Sequence, residues 1–218
     1  MHAAVLTARA QFSLHAADAA SLSETSMSRC TNVFIAAVVG AIVLFVWGAV
    51  SHMVFDLGGR NWSGLPNEEA IISELKANTP LPGVYFFPFA DCAEDDEAAM
   101  EAYIKKYETS PTGLIFYKPL GGNMDMTPML LNEFLSGFAA AALVAFTVGS
   151  LPLGMRGTAV MCGLFALALW CSTEWSNHIW YGFPLGWIID GAIESTVGWI
   201  LAGAVIGKIA GGRAMTAA

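Results

Sequence analysis

Four long apolar runs, separated by more polar segments, dominate the pattern of hydrophobic and polar positions along the chain. They cover Val33 to Phe55, Phe134 to Leu153, Gly157 to Trp175 and Trp187 to Ile209. A helix rises about 1.5 Å per residue, so each run would reach roughly 28–35 Å, close to the hydrocarbon thickness of a bilayer. The pattern therefore predicts four transmembrane helices.

The connections between these runs differ greatly in length. Only Gly154, Met155 and Arg156 separate the second run from the third, which predicts a tight antiparallel helical hairpin. Residues 176–186, between the third and fourth runs, are rich in aromatic side chains, as is typical of the headgroup level. Residues 56–130 form a much longer insertion between the first and second runs.

The insertion has a pattern of its own. An amphipathic stretch from Asn67 through Lys76 is followed by the strand-like run 84–87, and a second amphipathic stretch, 95–107, is followed by the run 114–117. The order helix–strand thus occurs twice. The two halves are either an internal duplication or two unrelated segments with similar proline and glycine residues at their boundaries. Because two strands alone are marginal in water, we expect this unit to rest on the membrane helices or to pair with a second copy.

The predicted fold class is an all-α membrane bundle of four transmembrane helices with a small inserted extracytoplasmic α/β domain. The boundaries are 31–55 for the first helix, 56–130 for the acidic domain, 131–210 for the other three helices and 211–218 for a cytoplasmic tail. Residues 1–30 lack the apolar core of a signal peptide. We interpret them as a disordered segment or as sequence upstream of a native start at Met27, with a targeting segment as the alternative.

Positive charges in the short loops predict the orientation. With four crossings, Arg29, Arg156, Lys208 and Arg213 all fall on one side of the membrane. The positive-inside rule makes that side cytoplasmic. We therefore expect a multi-pass protein of the bacterial inner membrane, with both termini in the cytoplasm.

Composition and charge narrow the function classes. The chain is 56% hydrophobic and 13% charged, which argues against a soluble globule, and its net charge of -8 argues against a nucleic-acid partner. Asp56 to Asp125 holds 12 acidic and five basic side chains, a charge of -7. Four cysteines are too few for a disulfide scaffold, and Cys92, alone in the outer domain, is either a free thiol or an intermolecular bridge.

Several short signatures occur in a recognisable order along residues 31–210. They are Phe45-Val46-Trp47-Gly48, Leu65-Pro66-Asn67-Glu68, Gly83-Val84-Tyr85-Phe86-Phe87-Pro88, Pro111-Thr112-Gly113, Trp180-Tyr181-Gly182-Phe183-Pro184 and Gly198-Trp199-Ile200-Leu201-Ala202-Gly203. Together they resemble an uncharacterised family of small bacterial membrane proteins with four helices and an extracytoplasmic loop domain. The resemblance implies the architecture and a start near Met27, and it implies no activity. Glu174 and His178 depart from the family pattern.

Six ionisable side chains lie inside or at the ends of the predicted spans. They are His52, Glu133, Glu174, His178, Asp190 and Glu194. The predicted topology brings all six to the extracytoplasmic side, where they would form a metal site, a proton-accepting cluster or simply interfacial carboxylates. Because Asp190 and Glu194 are four residues apart on one helix, either one is protonated or a cation, Arg or His neutralises them.

The last span carries Gly203, Gly207 and Gly211 at four-residue spacing. Such a strip allows close helix contact, either inside the four-helix bundle or between two copies in a homodimer.

No motif for a catalytic nucleophile or a phosphate loop is recognisable, no Glu-x-x-His, His-Glu-x-x-His or Cys-x-x-Cys spacing occurs, and no cofactor is predicted. The sequence favours a non-enzymatic binding or accessory/assembly subunit that uses its acidic outer domain. Its expected partners are the lipid bilayer and another protein or a second copy. The alternative is a proton- or metal-coupled transport or redox module built on the outer His/carboxylate cluster.

Overall fold

A computed structural model describes residues 29–91, 96–122 and 124–211. The expectations for residues 1–28, Cys92, Arg213 and most of the tail lie outside this described part of the chain. In chain order the elements are α1 (Arg29–Met53), α2 (Glu68–Asn78), β1 (Gly83–Phe87), α3 (Glu97–Thr109), β2 (Gly113–Tyr117), α4 (Thr127–Val148), α5 (Gly154–Tyr181) and α6 (Leu185–Ile209). A 3₁₀ turn covers Gly59–Asn61.

Four of these helices, α1, α4, α5 and α6, are long and apolar enough to cross a membrane. Their number agrees with the four predicted spans. The two amphipathic stretches of the insertion are the helices α2 and α3, and the two strand-like runs are β1 and β2. The mostly helical fold with one small sheet is therefore confirmed.

The predicted connections between the last three spans were misplaced. The turn after α4 lies at 149–153, before the predicted Gly154-Met155-Arg156, because Pro152 lacks an N–H and disfavours helix at the residue before it. Helix α5 continues past Trp175 to Tyr181, so the aromatic stretch is mostly helical. It ends where Gly182 adopts a φ of 71°, a conformation that glycine tolerates best.

The chain divides into two compact units. The first contains residues 29–57, 127–169 and 192–211 of the described chain. Its core consists almost entirely of small side chains from α1, α4 and α6, namely Ala36, Ala37, Ala41, Ala141, Ala145, Ala202 and Ile206. Small side chains let helix backbones approach closely, and a Cβ added at Gly40 would lie 2.8 Å from the Ile206 side chain.

The second unit contains Gly58–Met126 and Trp170–Gly191, so it includes the end of α5 and the start of α6 as well as the insertion. Its two strands pair antiparallel, with Gly83 opposite Tyr117 and Phe87 opposite Gly113. Asp96 caps α3 by accepting a hydrogen bond from the backbone N–H of Ala99, at 3.0 Å. Neither α2 nor α3 contains a buried residue.

Candidate functional site

Asp190 of α6 forms the most extensively bonded ionisable site in the second unit. Its side chain is 2% exposed and accepts hydrogen bonds from four donors. The carboxylate Oδ2 receives Arg60 Nε at 2.8 Å, Gly58 N at 3.0 Å and Asn61 Nδ2 at 2.7 Å, and Oδ1 receives Arg60 Nη2. Bidentate pairing with a guanidinium offsets the cost of burying the carboxylate.

The segment that follows α1 supplies all of these donors. Gly58 has a φ of 84°, which turns the chain into the 3₁₀ turn Gly59–Asn61. Asn61 approaches the backbone of α6 so closely that a Cβ at Gly186 would overlap its Oδ1. The glycines thus permit the contact, and the site ties this segment to the first turns of α6.

Glu194 forms a separate site in the first unit. Its Oε1 lies 3.0 Å from His52 Nε2 and accepts a hydrogen bond from the buried Ser51 hydroxyl at 3.0 Å. The Trp47 indole N–H donates to the backbone carbonyl of Glu194 at 2.8 Å. These contacts join the end of α1 to α6.

The contacts of His52 determine where its protons lie. Its Nδ1 is 2.9 Å from the carbonyl oxygen of Leu57. Because a carbonyl oxygen only accepts hydrogen bonds, Nδ1 is the ring nitrogen that donates here, and Nε2 is the one that faces the carboxylate of Glu194. The sequence required a cation, Arg or His, or a proton to neutralise the two carboxylates. The structure places Arg60 at Asp190 and His52 at Glu194, one partner for each.

The other three candidates are less constrained. Glu133 is exposed on α4. Glu174 and His178, although one turn apart on α5, form no ion pair with each other in the part of the chain that the structure describes. His178 instead places Nδ1 2.6 Å from the carbonyl oxygen of Phe183, and its ring lies 5.5 Å from that of Trp175. His178 thus holds the end of α5 to the connection that follows it.

The described residues contain no group of three or more His, Cys, Asp or Glu side chains placed to hold a metal ion. At Asp190 the carboxylate oxygens are occupied by protein donors. The pair of His52 and Glu194 offers one imidazole and one carboxylate, with Nε2 3.0 Å from Oε1.

Sequence reasoning did not single out Arg60 or Asn61. The signal lay in the segment Gly58-Gly59-Arg60-Asn61, in which an isolated arginine and an amide follow two glycines directly after the first span. A cation held so close to a span by a flexible turn is well placed to reach a carboxylate in another span.

The three glycines at four-residue spacing pack against α5 within the same chain; Gly203 and Gly207 lie in α6, and Gly211 lies just after its end. A Cβ at Gly203 would lie 2.9 Å from the Cys162 side chain, and one at Gly207 would lie 2.6 Å from the carbonyl oxygen of Gly154. A Cβ at Gly211 would lie 3.3 Å from the Gly154 Cα. Of the two alternatives left open by the sequence, this geometry favours packing inside the bundle.

Comparison with protein-family models, with curated proteins and with solved structures finds no match to this chain. Any function is therefore argued from the residues themselves.

Proposed function

We propose that this is a multi-pass protein of the bacterial inner membrane, with both termini cytoplasmic, and that its acidic extracytoplasmic unit binds another protein in a non-enzymatic accessory or assembly role. The observation that carries the proposal is the lack of buried residues in α2 and α3, together with large apolar side chains exposed across the insertion. Apolar surface of this extent is typical of an interaction site.

Membrane insertion is supported by the outward surface of the long helices. Large apolar side chains such as Leu143, Phe146, Leu164 and Phe165 are each more than 60% exposed. Such surfaces are stable against lipid and costly against water.

The orientation is supported by where the basic residues lie in the first unit. Arg29, at the start of α1, donates from Nη2 to the carbonyl oxygen of Gly149 at 2.6 Å, in the turn between α4 and α5. The close approach of Gly207 to Gly154 brings the end of α6, where Lys208 lies, to the start of α5. Arg29, Arg156 and Lys208 thus belong to the same end of the helices, and the positive-inside rule favours a cytoplasmic location for that end.

Charge identifies the kind of partner. Residues 56–125 carry a charge of -7, so two copies would repel each other where their acidic units met. A partner with a basic rim around an apolar centre would complement both the charge and the exposed side chains. We therefore favour a heterologous protein over a second copy.

Site-specific photocrosslinking in living cells tests this function. A photoreactive phenylalanine analogue at Leu81, Phe89 or Ile104 of the insertion should give one protein adduct of constant mass. The same analogue at Leu143 of α4, which is also exposed, should give none. Adducts only with a second copy, or no protein adduct from the insertion, would contradict the proposal.

The second candidate function, a proton-coupled module, is favoured by the pair of His52 and Glu194. An ionisable pair between two span-length helices is a functional hypothesis by default, and an imidazole facing a carboxylate is a pair of groups able to pass a proton. This candidate predicts that vesicles containing the protein dissipate an imposed pH gradient, that Glu194→Gln stops the leak and that Glu133→Gln does not. Vesicles that hold the gradient with every variant would eliminate it.

A further inference from the structure

An aromatic groove lies inside the second unit, between β2 and the short connection from α5 to α6. Its volume is about 330 Å³. The β2 side contributes the ring of Phe116, the Leu114 side chain and the Thr112 hydroxyl. The α5–α6 side contributes the aromatic side chains of Tyr181, Phe183 and Trp187. None of the described residues that line it is charged.

Two features hold the walls of the groove in place. The indole of Trp187 stacks on Trp62, with ring centroids 6.0 Å apart and an interplanar angle of 23°. The φ of 71° at Gly182 allows the chain to leave α5 and enter α6 within three residues. These two features fix the wall of the groove that the α5–α6 connection supplies, which reduces the ordering cost of binding.

The length of α5 gives the depth of the groove in a membrane. Its 28 residues reach about 42 Å, close to the 40–45 Å of a bilayer with its headgroups. If α5 spans the membrane, as the proposed function requires, Tyr181 and the connection after it lie at the level of the lipid headgroups.

The lining determines which lipid fits. Aromatic faces attract ammonium groups, and the charge of -7 on residues 56–125 favours a cation and repels an anionic headgroup. The Thr112 hydroxyl can donate to a phosphate or ester oxygen. We propose that the groove binds one zwitterionic phospholipid, with its ammonium group over the aromatic rings and its upper acyl chain beside Leu114. This inference rests on the membrane insertion contained in the proposed function.

Native mass spectrometry of the full chain, released from nanodiscs of equal phosphatidylethanolamine and phosphatidylglycerol, tests the proposal. We expect one phosphatidylethanolamine to remain bound. Phe116 is 71% exposed, so its substitution should not disturb folding. Phe116→Tyr keeps an aromatic face and should retain the lipid. Phe116→Leu keeps apolar area without the ring and should lower the retained fraction at least fivefold, whereas Phe89→Ala, outside the groove, should change nothing.

Three results would overturn the proposal: no retained lipid, equal retention of phosphatidylglycerol, or equal loss in Phe116→Leu and Phe89→Ala. Binding of an added extended peptide, with no lipid retained in its absence, would identify a peptide groove and contradict the lipid site. Co-elution of the protein with intact nanodiscs is measured first, because it separates a failure of the proposed function from a failure of the lipid site. Failure to co-elute contradicts membrane insertion, and hence the proposed function. Co-elution without a selective lipid contradicts only the groove.

Discussion

At the residue scale, the two partners of the Asp190–Arg60 ion pair differ in burial, so the loss of one should cost more stability than the loss of the other. The carboxylate is 2% exposed, whereas the guanidinium is 53% exposed and retains access to water. Removing the cation leaves a buried charge without its main partner, but removing the carboxylate leaves a cation that water can solvate.

We expect Arg60→Gln to destabilise the protein by about 2–3 kcal/mol and Asp190→Asn by clearly less. The double variant should be more stable than Arg60→Gln alone, because it no longer contains a buried unpaired charge. Thermal melts in detergent, with Glu133→Gln as an exposed control, would measure this order. Equal effects of the two single changes would show that the Asp190 carboxylate is not buried more deeply than the Arg60 guanidinium.

The two carboxylates show how far sequence reasoning reaches at this scale. Their four-residue spacing predicted like-charge repulsion and the need for a cation, an arginine or a histidine. The structure gives each carboxylate its own partner, Arg60 for Asp190 and His52 for Glu194. The sequence could not identify Arg60 because the pairing depends on the turn at Gly58, which hydrophobic periodicity does not encode.

At the element scale, the close contact between α5 and α6 depends on Gly207. A Cβ there would overlap the carbonyl oxygen of Gly154, which belongs to the backbone and cannot rotate away. At Gly191, on the same helix, the corresponding space is open.

Gly207→Ala should therefore lower stability by about 1–3 kcal/mol through overpacking. Gly191→Ala should be neutral or slightly stabilising, because alanine favours helix. Melting temperatures in detergent, together with the oligomeric state from light scattering, would distinguish the roles. If Gly207→Ala dissociated a dimer and left the melting temperature unchanged, the strip would be an interface between copies.

The register of the sheet gives a second element-scale test. Val84 lies opposite Phe116, and both side chains are exposed. In a background with the native cysteines replaced by serine, Val84→Cys with Phe116→Cys should form a disulfide readily, since opposite Cβ atoms lie about 4.5–5.5 Å apart. The diagonal pair Val84→Cys with Leu114→Cys should oxidise much more slowly. Faster oxidation of the diagonal pair would indicate a shifted register.

The helix and strand positions of the insertion were predictable because proline and glycine lie at their boundaries. β1 begins at Gly83, directly after Pro82, and β2 begins at Gly113, two residues after Pro111. The antiparallel pairing was not predicted, because local patterns do not specify which strand edges meet. In that pairing Gly83 opposes Tyr117 and Phe87 opposes Gly113, so the first residue of each strand lies opposite the last residue of the other.

At the scale of the whole molecule, composition and apolar run length were sufficient to predict four span-length helices. The ends of the helices were harder, because aromatic residues at 176–181 suit both an interfacial loop and a helix end. The grouping of the end of α5 and the start of α6 with the insertion could not be predicted, since it depends on contacts between segments distant in sequence. The sequence gives no physical signal for such contacts beyond charge and apolar character.

The orientation of the insertion is the most direct test of the account. Single cysteines at Leu120, in the insertion, and at Met155, at the start of α5, would be placed in a cysteine-free background; both positions are exposed. With an impermeant maleimide applied to spheroplasts, the account predicts labelling at 120 before lysis and at 155 only after the membrane is breached. Labelling at 155 before lysis, with 120 protected until the membrane is opened, would contradict it.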